Sequence, residues 1–528
     1  MGVVLSFLQD AIASLSSAIA LLGALSNEFN QALHRASLPP GLPVPRFTRP
    51  YWIENPPFPD LVNAQSSALP KIVDVAIIGS GIAGAATARS ILHERRRRGV
   101  DTAENVVVLE ARELCSGATA RNGGHIKASP YEAFHMFSQQ YSKERAVALT
   151  RFQMRHLKCL VDLCKSEGIE GAEAREVETV DIFLDDVAWK KALKDVDEMR
   201  KWMPGIEIKT WEGNEAQEKF GVNEGVVGAF SYTAGAIWAY RFTVSIWERL
   251  LNEFPKTLAI ETNTPVESIS VPNDAPSNFP YAVQTARGTV FARHVVHATN
   301  GFASQLVPGL RKKIVGARAH MSAQAPGLSF PRCNGMRSWS VIYNGGFDYI
   351  SQRPSTPEEA QGDVMLGGGF MRSSKQGVDQ LGIYDDGAAL DPLTVSHIAG
   401  IFPAVFHPKW GAGAELKNAW SGILGMTGDL VPFVGRLDGR LTQRDVKSKD
   451  GAGRRGEWIA AGWCGDGMIW AWLCGTGLGI MIAGSENDDV EETSGRPGGR
   501  LADWFPDELR VSVKRLRSAD VANLANRI

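Results

Sequence analysis

The sequence predicts an α/β fold in which two domains are interleaved, the second with an α+β arrangement on a mixed or antiparallel sheet. Two short apolar runs, residues 73–78 and 105–109, are typical of parallel strands buried on both faces. The 528 residues alone suggest about three domains at roughly 150 residues each. However, the most notable of the 54 glycines gather in distant stretches, which meet only if the chain returns repeatedly to one place. These stretches are residues 79–84, 117–124, 301, 367–369 and 462–467.

Composition excludes several classes of protein. Hydrophobic residues make up 44% and charged residues 22% of the chain, which is typical of ordinary soluble proteins and not of disordered, collagenous or coiled-coil chains. The formal net charge of −2 provides no field that favours nucleic acid. Six cysteines without a C-x-x-C spacing indicate neither a disulfide framework nor a metal site. Such scattered thiols predict a cytoplasmic location.

The ends of the chain differ from its body. Residues 1–36 show apolar positions at helical spacing, which predicts an amphipathic helix. Such a helix would associate at most weakly with a membrane surface, and no transmembrane segment is predicted. Gly2 also fits the loose myristoylation pattern, an alternative that remains open. Residues 37–70 form a Pro-rich connector, and residues 486–528 a C-terminal tail. The predicted first domain comprises residues 71–165, 235–310 and 420–485; the second comprises residues 166–234 and 311–419.

A dinucleotide-binding fingerprint follows the first apolar run. Gly79, Gly81 and Gly84 have the G-x-G-x-x-G spacing between a strand and a helix, and the second strand ends at Glu110. These glycines permit a tight turn, close approach of a pyrophosphate and close helix packing, and the acid can accept hydrogen bonds from a ribose. The pattern therefore predicts a Rossmann-like domain. An ordinary strand–turn–helix that binds nothing is the alternative.

The loop after Glu110 indicates which dinucleotide is bound. It contains Gly117, Arg121, Gly123 and Gly124 where a second phosphate contact would fall. Arg121 and the loop amides could bind a pyrophosphate, while the paired glycines allow backbone to lie close to a flat ring. An enzyme that binds only NAD does not need a second glycine-rich loop at this position, so the loop favours FAD.

From Lys71 to Gly484 the sequence resembles the flavin amine and amino-acid oxidoreductases that include D-amino-acid, glycine, sarcosine and gamma-glutamylputrescine oxidases. Beyond the two glycine-rich segments, residues 264–269, 295–301 and 458–468 carry the resemblance. It implies FAD, transfer of a hydride from a C–H beside nitrogen to flavin N5, and an imine that hydrolyses. It also implies that the Val266 backbone contacts adenine. The predicted cofactor-binding residues are Gly79, Ser80, Gly81, Ile82, Ala83, Gly84, Glu110, Ala111, Arg112, Ser116, Gly117, Ala118, Thr119, Arg121, Asn122, Gly123, Gly124, Val266, Thr299, Asn300, Gly301, Gly465, Asp466, Gly467 and Met468.

The sequence departs from this family at two places. The sarcosine-oxidase branch has a cysteine bonded to the flavin, whereas residues 420–432 contain none, so we predict non-covalent FAD. Many members have histidine between the two glycines of the flavin turn, where this chain has Asp466. A role inherited at that position is therefore in doubt.

Six residues are candidates for the chemistry. Asp466 could hold a substrate ammonium or take its proton, or merely cap a helix. His125 could line the flavin, and Lys127 could place positive charge there; an ordinary loop histidine and a surface lysine are the alternatives. Residues 347–353 and 363–372 are predicted to be neighbouring strands, on which Tyr349 and Arg372 would line the pocket, with Arg372 able to bind a carboxylate; a core tyrosine and a surface arginine are the alternatives. Trp463 would form an aromatic wall facing the substrate.

The leading hypothesis is an FAD-dependent oxidase or dehydrogenase of an amine or amino acid, with O2 as the expected acceptor. A second hypothesis is an FAD enzyme that oxidises or hydroxylates a non-amine metabolite, with NAD(P)H reducing the flavin. A third is a protein that binds FAD without catalysis. Substrate identity and oligomeric state stay open at this level.

Overall fold

The computed structural model describes residues 27–100, 105–357, 361–444 and 455–526. Most of the predicted N-terminal amphipathic helix, including Gly2, lies outside these ranges; residues 27–37 are helical. In the described ranges, no helix has the length and apolar character needed to cross a membrane. The other α-helices are Pro59–Val62, Ile82–Arg97, Pro130–Ser138, Lys143–Ser166, Asp186–Trp202, Gly213–Phe220, Ala239–Glu253, Ala303–Leu306, Pro392–Val405, Gly439–Thr442, Ala471–Ala483, Leu501–Trp504 and Val513–Ser518.

The strands form two sheets. They are β1 Ile72–Ile78, β2 Val106–Leu109, β3 His125–Ile126, β4 Arg175–Phe183, β5 Lys209–Glu212, β6 Gly228–Ala236, β7 Leu258–Glu261, β8 Val266–Ser270, β9 Tyr281–Thr285, β10 Gly288–His297, β11 Ile314–Ala325, β12 Arg337–Tyr343, β13 Gly346–Gln352, β14 Val364–Gly368, β15 Glu415–Thr427, β16 Phe433–Arg436 and β17 Gly456–Ala461.

The first sheet has the order β16-β17-β10-β1-β2-β7, with β17, β10, β1, β2 and β7 parallel. Strand β16 and the β8–β9 hairpin join it antiparallel. All residues of β2, and all of β1 except Ile72, are buried, as expected of strands covered on both faces. This sheet has the Rossmann-like arrangement that the sequence predicts.

The second sheet has the order β15-β11-β14-β13-β12-β4-β6-β3, with β5 paired to β6. Its strands are antiparallel apart from the parallel pair β12–β4, so the predicted mixed sheet is confirmed. The predicted strand over residues 363–372 is too long. Strand β14 ends at Gly368, where φ is +138°, and Gly369 follows at φ +60°. These left-handed values turn the chain away before Arg372.

The helix Ala471–Ala483 packs along the helix Ile82–Arg97 and is buried around nearly its whole circumference. Small residues permit this contact. A Cβ at Gly475 would lie 2.7 Å from the Ala83 carbonyl oxygen, and one at Gly479 only 2.4 Å from the Ser90 Cβ. Because both helices begin at turns that face the same space, their contact fixes the two turns relative to each other.

This packing predicts opposite effects for two helical glycine-to-alanine changes. Gly479→Ala is expected to destabilise the protein by about 1–3 kcal/mol, because the added methyl overlaps the facing helix. Gly400→Ala, in the helix Pro392–Val405 with no atom within 4 Å of the new Cβ, should be neutral or stabilising by up to about 1 kcal/mol. Chemical denaturation of both variants measures the difference, and equal effects would contradict the proposed packing constraint.

Candidate functional site

A cleft between the sheets begins at the turn after β1. Gly79 has φ +107°, and a Cβ there would lie 2.7 Å from the Ala298 carbonyl oxygen. A Cβ at Gly84 would lie 2.1 Å from the Gly79 carbonyl oxygen, so only glycine lets the helix start so close to the strand. Ala83 lines the cleft at this helix N-terminus, where unpaired backbone N–H groups attract anions.

Glu110 lies beside that turn, directly after β2. Its Oε2 accepts hydrogen bonds from the Ser80 backbone N–H at 3.0 Å and the Ser80 hydroxyl at 2.6 Å. Its Oε1 accepts one from the Arg112 backbone N–H at 3.0 Å. A carboxylate oxygen accepts at least two hydrogen bonds, so Oε1 keeps a position for a ligand hydroxyl.

Two arginines of the following loop converge on one buried carboxylate. Arg112 Nη1 lies 2.9 Å from Asp386 Oδ1, and Arg121 Nε lies 3.3 Å from Asp386 Oδ2. Arg121 also donates to the Ser421 carbonyl oxygen at 2.6 Å. Burial, only partly offset by Asp386, lowers the pKa of Arg121 to about 10, so the side chain remains a cation at neutral pH.

The cleft gathers residues that are far apart in the sequence. The predicted residues that line it are Gly79, Ser80, Gly81, Ile82, Ala83, Glu110, Ala111, Arg112, Gly117, Ala118, Thr119, Arg121, Asn122, Val266, Thr299, Asn300, Gly301, Tyr349, Trp463, Gly465, Gly467 and Met468. Sequence reasoning missed others, among them Gly41, Leu42, Pro43, Met321 and Asp386. No local pattern singles these out, because their position depends on how distant segments pack.

Four predicted cofactor residues lie behind this lining. Gly84 packs the helix against its own turn, and Ser116 is buried in the loop. Gly123 and Gly124 allow a close approach, but to protein atoms: a Cβ at Gly123 would lie 2.7 Å from the Tyr349 ring, and one at Gly124 would lie 2.2 Å from the Ile237 carbonyl oxygen. The close approach at Gly123 is therefore to the Tyr349 ring, and the one at Gly124 is to the backbone of Ile237.

Arg372 does not reach the cleft. It is exposed and stacks on the Tyr343 ring, with its guanidinium carbon 4.3 Å from the ring centroid. The Tyr343 hydroxyl contacts His397 and Asp348, and Asp348 points to the opposite face of β13 from Tyr349. The expectation that Arg372 lines the pocket is wrong because the chain turns at Gly368 before reaching this position.

The predicted aromatic residues form one end of the cleft. Tyr349 is partly buried against Gly367, and its hydroxyl lies 3.2 Å from Met321 Sδ. Loss of solvent around the phenol, followed by the charges of Asp466 and Asp348, raises the Tyr349 pKa, so the phenol stays neutral. Trp463 also lines the cleft and is buried.

Asp466 lies between Gly465 and Gly467, both of which line the cleft. It occupies the N-cap position of the 3-10 turn Gly467–Ile469, but its side chain makes no capping hydrogen bond. Asp466 keeps solvent-accessible surface, although protein atoms surround its carboxyl group. Desolvation, reinforced by Glu132 and opposed by Lys127, raises the Asp466 pKa to about 7.

Lys127 belongs to a buried polar cluster around Asp181. The ammonium contacts Asp181 and donates to the Ser340 hydroxyl at 2.6 Å. The hydroxyls of Tyr131 and Tyr232 donate to the same carboxylate at 3.0 and 2.8 Å. The surface-lysine alternative is therefore wrong. A second carboxylate, Glu132, is close enough to influence the charge of Asp466, and burial raises the pKa of Glu132 as well.

His125 lies next to this cluster in β3. Its Nε2 pairs with the Ser338 hydroxyl at 2.9 Å, and burial, reinforced by the charge of Lys127, lowers its pKa well below 6.5. The imidazole is therefore neutral at physiological pH. It is not among the residues that line the cleft itself.

Comparison with known proteins agrees with this geometry. A family model described as DAO, FAD dependent oxidoreductase, matches residues 74–478. No curated protein sequence matches. Among solved structures, L-proline dehydrogenase from P. horikoshii has a TM-score of 0.56 at 20% identity over 78% of this chain and 94% of its own. Glycine oxidase from Geobacillus kaustophilus has a TM-score of 0.57 and 18% sequence identity, over 79% of this chain and 96% of its own. L-amino acid deaminase from Proteus myxofaciens has a TM-score of 0.57 and 16% sequence identity, over 89% of this chain and 97% of its own. These structures share the fold with this chain.

The residues present fit FAD. Within the described chain, the buried Thr299 Oγ1 and Arg121 Nη2 have no hydrogen-bond partner in the protein, and both residues line the cleft. An unsatisfied buried donor costs about 1–3 kcal/mol, so such atoms indicate a missing polar ligand. A pyrophosphate would accept from Arg121, and the glycine turn leaves room for it.

Thr299 provides a direct test. Thr299→Val is expected to leave the stability of the apoprotein unchanged, because the hydroxyl loses no partner, but to weaken FAD binding about tenfold if that hydroxyl bonds the cofactor. Thr262→Val is the matched control: its buried hydroxyl donates to Ala64 at 3.0 Å outside the cleft, so it should lose stability and keep FAD affinity. Flavin titration and thermal denaturation separate the two. An unchanged FAD affinity in Thr299→Val would contradict this assignment.

Proposed function

Because the chain belongs to the DAO family of FAD-dependent oxidoreductases, we propose that it oxidises the carbon–nitrogen bond of a small amine or amino acid to an imine, which then hydrolyses. The observation that carries the proposal is Asp466. This carboxyl group adjoins the cleft, makes no capping bond, and has a pKa of about 7. It is therefore available to an amine at physiological pH.

FAD, when bound, supplies a hydride acceptor for a C–H bond beside nitrogen. That transfer requires the neutral amine, whereas most amines are protonated in water. Asp466, once ionised, can accept a hydrogen bond from the substrate ammonium and take its proton. Tyr349 and Trp463 line the cleft, Trp463 being buried, and together they restrict the substrate pose.

Lys127 acts on this step through charge in our proposal. It is held by Asp181 and Ser340, and its charge opposes the rise in the Asp466 pKa that burial and Glu132 cause.

The similar solved structures are named for proline, glycine and L-amino acids. Amino acids and amines are therefore the first substrates to examine.

Three further features belong to the proposal. FAD is bound non-covalently, since no cysteine or histidine is among the described residues that line the cleft. The first sheet holds the cofactor and the second forms the substrate side; β15 lies in the second sheet, although residues 420–427 were predicted in the first domain. Molecular oxygen accepts the electrons, and the enzyme works in the cytoplasm.

The test of this function is anaerobic reduction of the bound flavin. A panel of primary and secondary amines, N-methyl amino acids and D- and L-amino acids is mixed with the holoenzyme, and loss of the oxidised flavin absorbance is followed. We expect bleaching by at least one class and peroxide formation on admitting air. Bleaching by NAD(P)H alone would favour oxidation of a non-amine metabolite instead.

The pKa of Asp466 predicts a pH profile. Its ionised fraction grows as pH rises through about 7, so kcat/KM for an amine should rise across that range. Asp466→Asn should remove this limb and lower kcat/KM by about 100-fold.

Two neighbours provide paired controls for this profile. Glu132→Gln removes a charge that raises the Asp466 pKa and should move the limb to lower pH. Lys127→Met removes a charge that lowers it and should move the limb to higher pH. Shifts in the same direction for both variants would show that another group titrates.

A further inference from the structure

The Pro-rich connector is part of the cleft and does not run free over the surface. We call its residues 41–54 the strap. Gly41, Leu42 and Pro43 line the cleft, and the Gly41 N–H donates to Gln305 Oε1 at 2.9 Å. The cleft is thus walled jointly by the strap and by the dinucleotide-binding turn.

The middle of the strap attaches to the arginines of the cofactor loop. The Phe47 ring lies 4.5 Å from the Arg112 guanidinium carbon and 4.9 Å from that of Arg121. Beside it, the Thr48 N–H donates to the Asp386 carbonyl oxygen at 2.9 Å. The Asp386 side chain holds the same two arginines. One aromatic ring therefore joins the strap to a cluster of charges in the cleft wall.

The far end of the strap is anchored separately. Trp52 is buried, and its indole N–H donates to the Asn122 carbonyl oxygen in the cofactor loop. Trp238 in turn donates to the Trp52 carbonyl oxygen at 2.8 Å. With this anchor in the core, the segment from Gly41 to Thr48 can open without unfolding the domain.

We propose that the strap is a clasp that retains FAD, and that Phe47 is the positioning residue that fastens it. A ligand that fills the cleft touches both the strap and the glycine turn, so its release requires the strap to detach from Arg112 and Arg121. Phe47 contributes contacts to these arginines and does not touch substrate. The inference depends on FAD binding alone and is independent of the proposed amine chemistry.

The rate of FAD release tests this clasp. Holoenzyme is diluted into flavin-free buffer, and the recovery of free-flavin fluorescence is followed. Phe47→Ala should release FAD about tenfold faster than the wild type, whereas Phe47→Tyr, which keeps the ring, should not. Phe58→Ala is the matched control, because in the described chain neither Arg112 nor Arg121 stacks on this aromatic residue of the same connector.

If Phe47→Ala does not fold, Phe47→Leu keeps apolar bulk without the aromatic face and is expected to accelerate release in the same direction. A wild-type release rate in folded Phe47→Ala or folded Phe47→Leu would overturn the proposal.

Limited proteolysis provides a second readout that needs no activity. Arg46 is exposed and precedes Phe47, so trypsin can cut between them when the strap opens. We expect the apoprotein to be cut at this bond at least about tenfold faster than the FAD-saturated protein, with fragments identified by mass spectrometry. Equal cutting rates would also overturn the clasp, and would leave the proposed oxidation of amines untouched.

Discussion

The site depends on one close contact, that between the Gly79 carbonyl oxygen and the α-carbon of Gly84. Any side chain at position 84 would place its Cβ 2.1 Å from that oxygen. This contact lets the helix Ile82–Arg97 start directly on the end of β1, which turns its N-terminus toward the cleft. The helix Ala471–Ala483 then packs on the same helix through Gly475 and Gly479. The turn that carries Asp466 immediately precedes that second helix, so the cofactor-binding turn and the candidate catalytic turn are fixed by one continuous packing interaction.

Two buried carboxylates organise the charges on either side of the cleft. Asp386 holds Arg112 and Arg121 in the cofactor loop, and Asp181 holds Lys127, Tyr131 and Tyr232 in the second sheet. Burying an ion is costly unless its hydrogen bonds are satisfied, and each of these carboxylates has several donors. Because each carboxylate is saturated by fixed partners, its surroundings are rigid. Within the part of the chain that the structure describes, Asp466 makes no capping hydrogen bond, which leaves its carboxyl group available to a ligand.

The sequence predicts those parts of the site that depend on local backbone geometry. The spacing of Gly79, Gly81 and Gly84 between a strand and a helix is enough to predict this turn, since the turn is formed mainly by residues that are close together in the chain. Arg372 was misplaced because a strand end depends on the φ values of Gly368 and Gly369, which composition does not reveal. Asp386 and Phe47 could not be predicted at all. Their role arises only when a turn, a connector and a loop from three distant parts of the chain meet, and each alone has an ordinary sequence.

The acidity of Asp466 follows from the interleaving of the two domains. An aspartate at a helix N-cap ordinarily gains hydrogen bonds that favour its ionised form, but here the side chain makes none. Desolvation is therefore not offset within its own turn. The remaining charges come from the other side of the cleft: Glu132 and Lys127 belong to the segment that follows β3 in the second sheet. One raises the pKa and the other lowers it, so the position of the second sheet relative to the first sets the balance. The pKa of Asp466, raised to about 7, thus depends on segments that belong to both sheets.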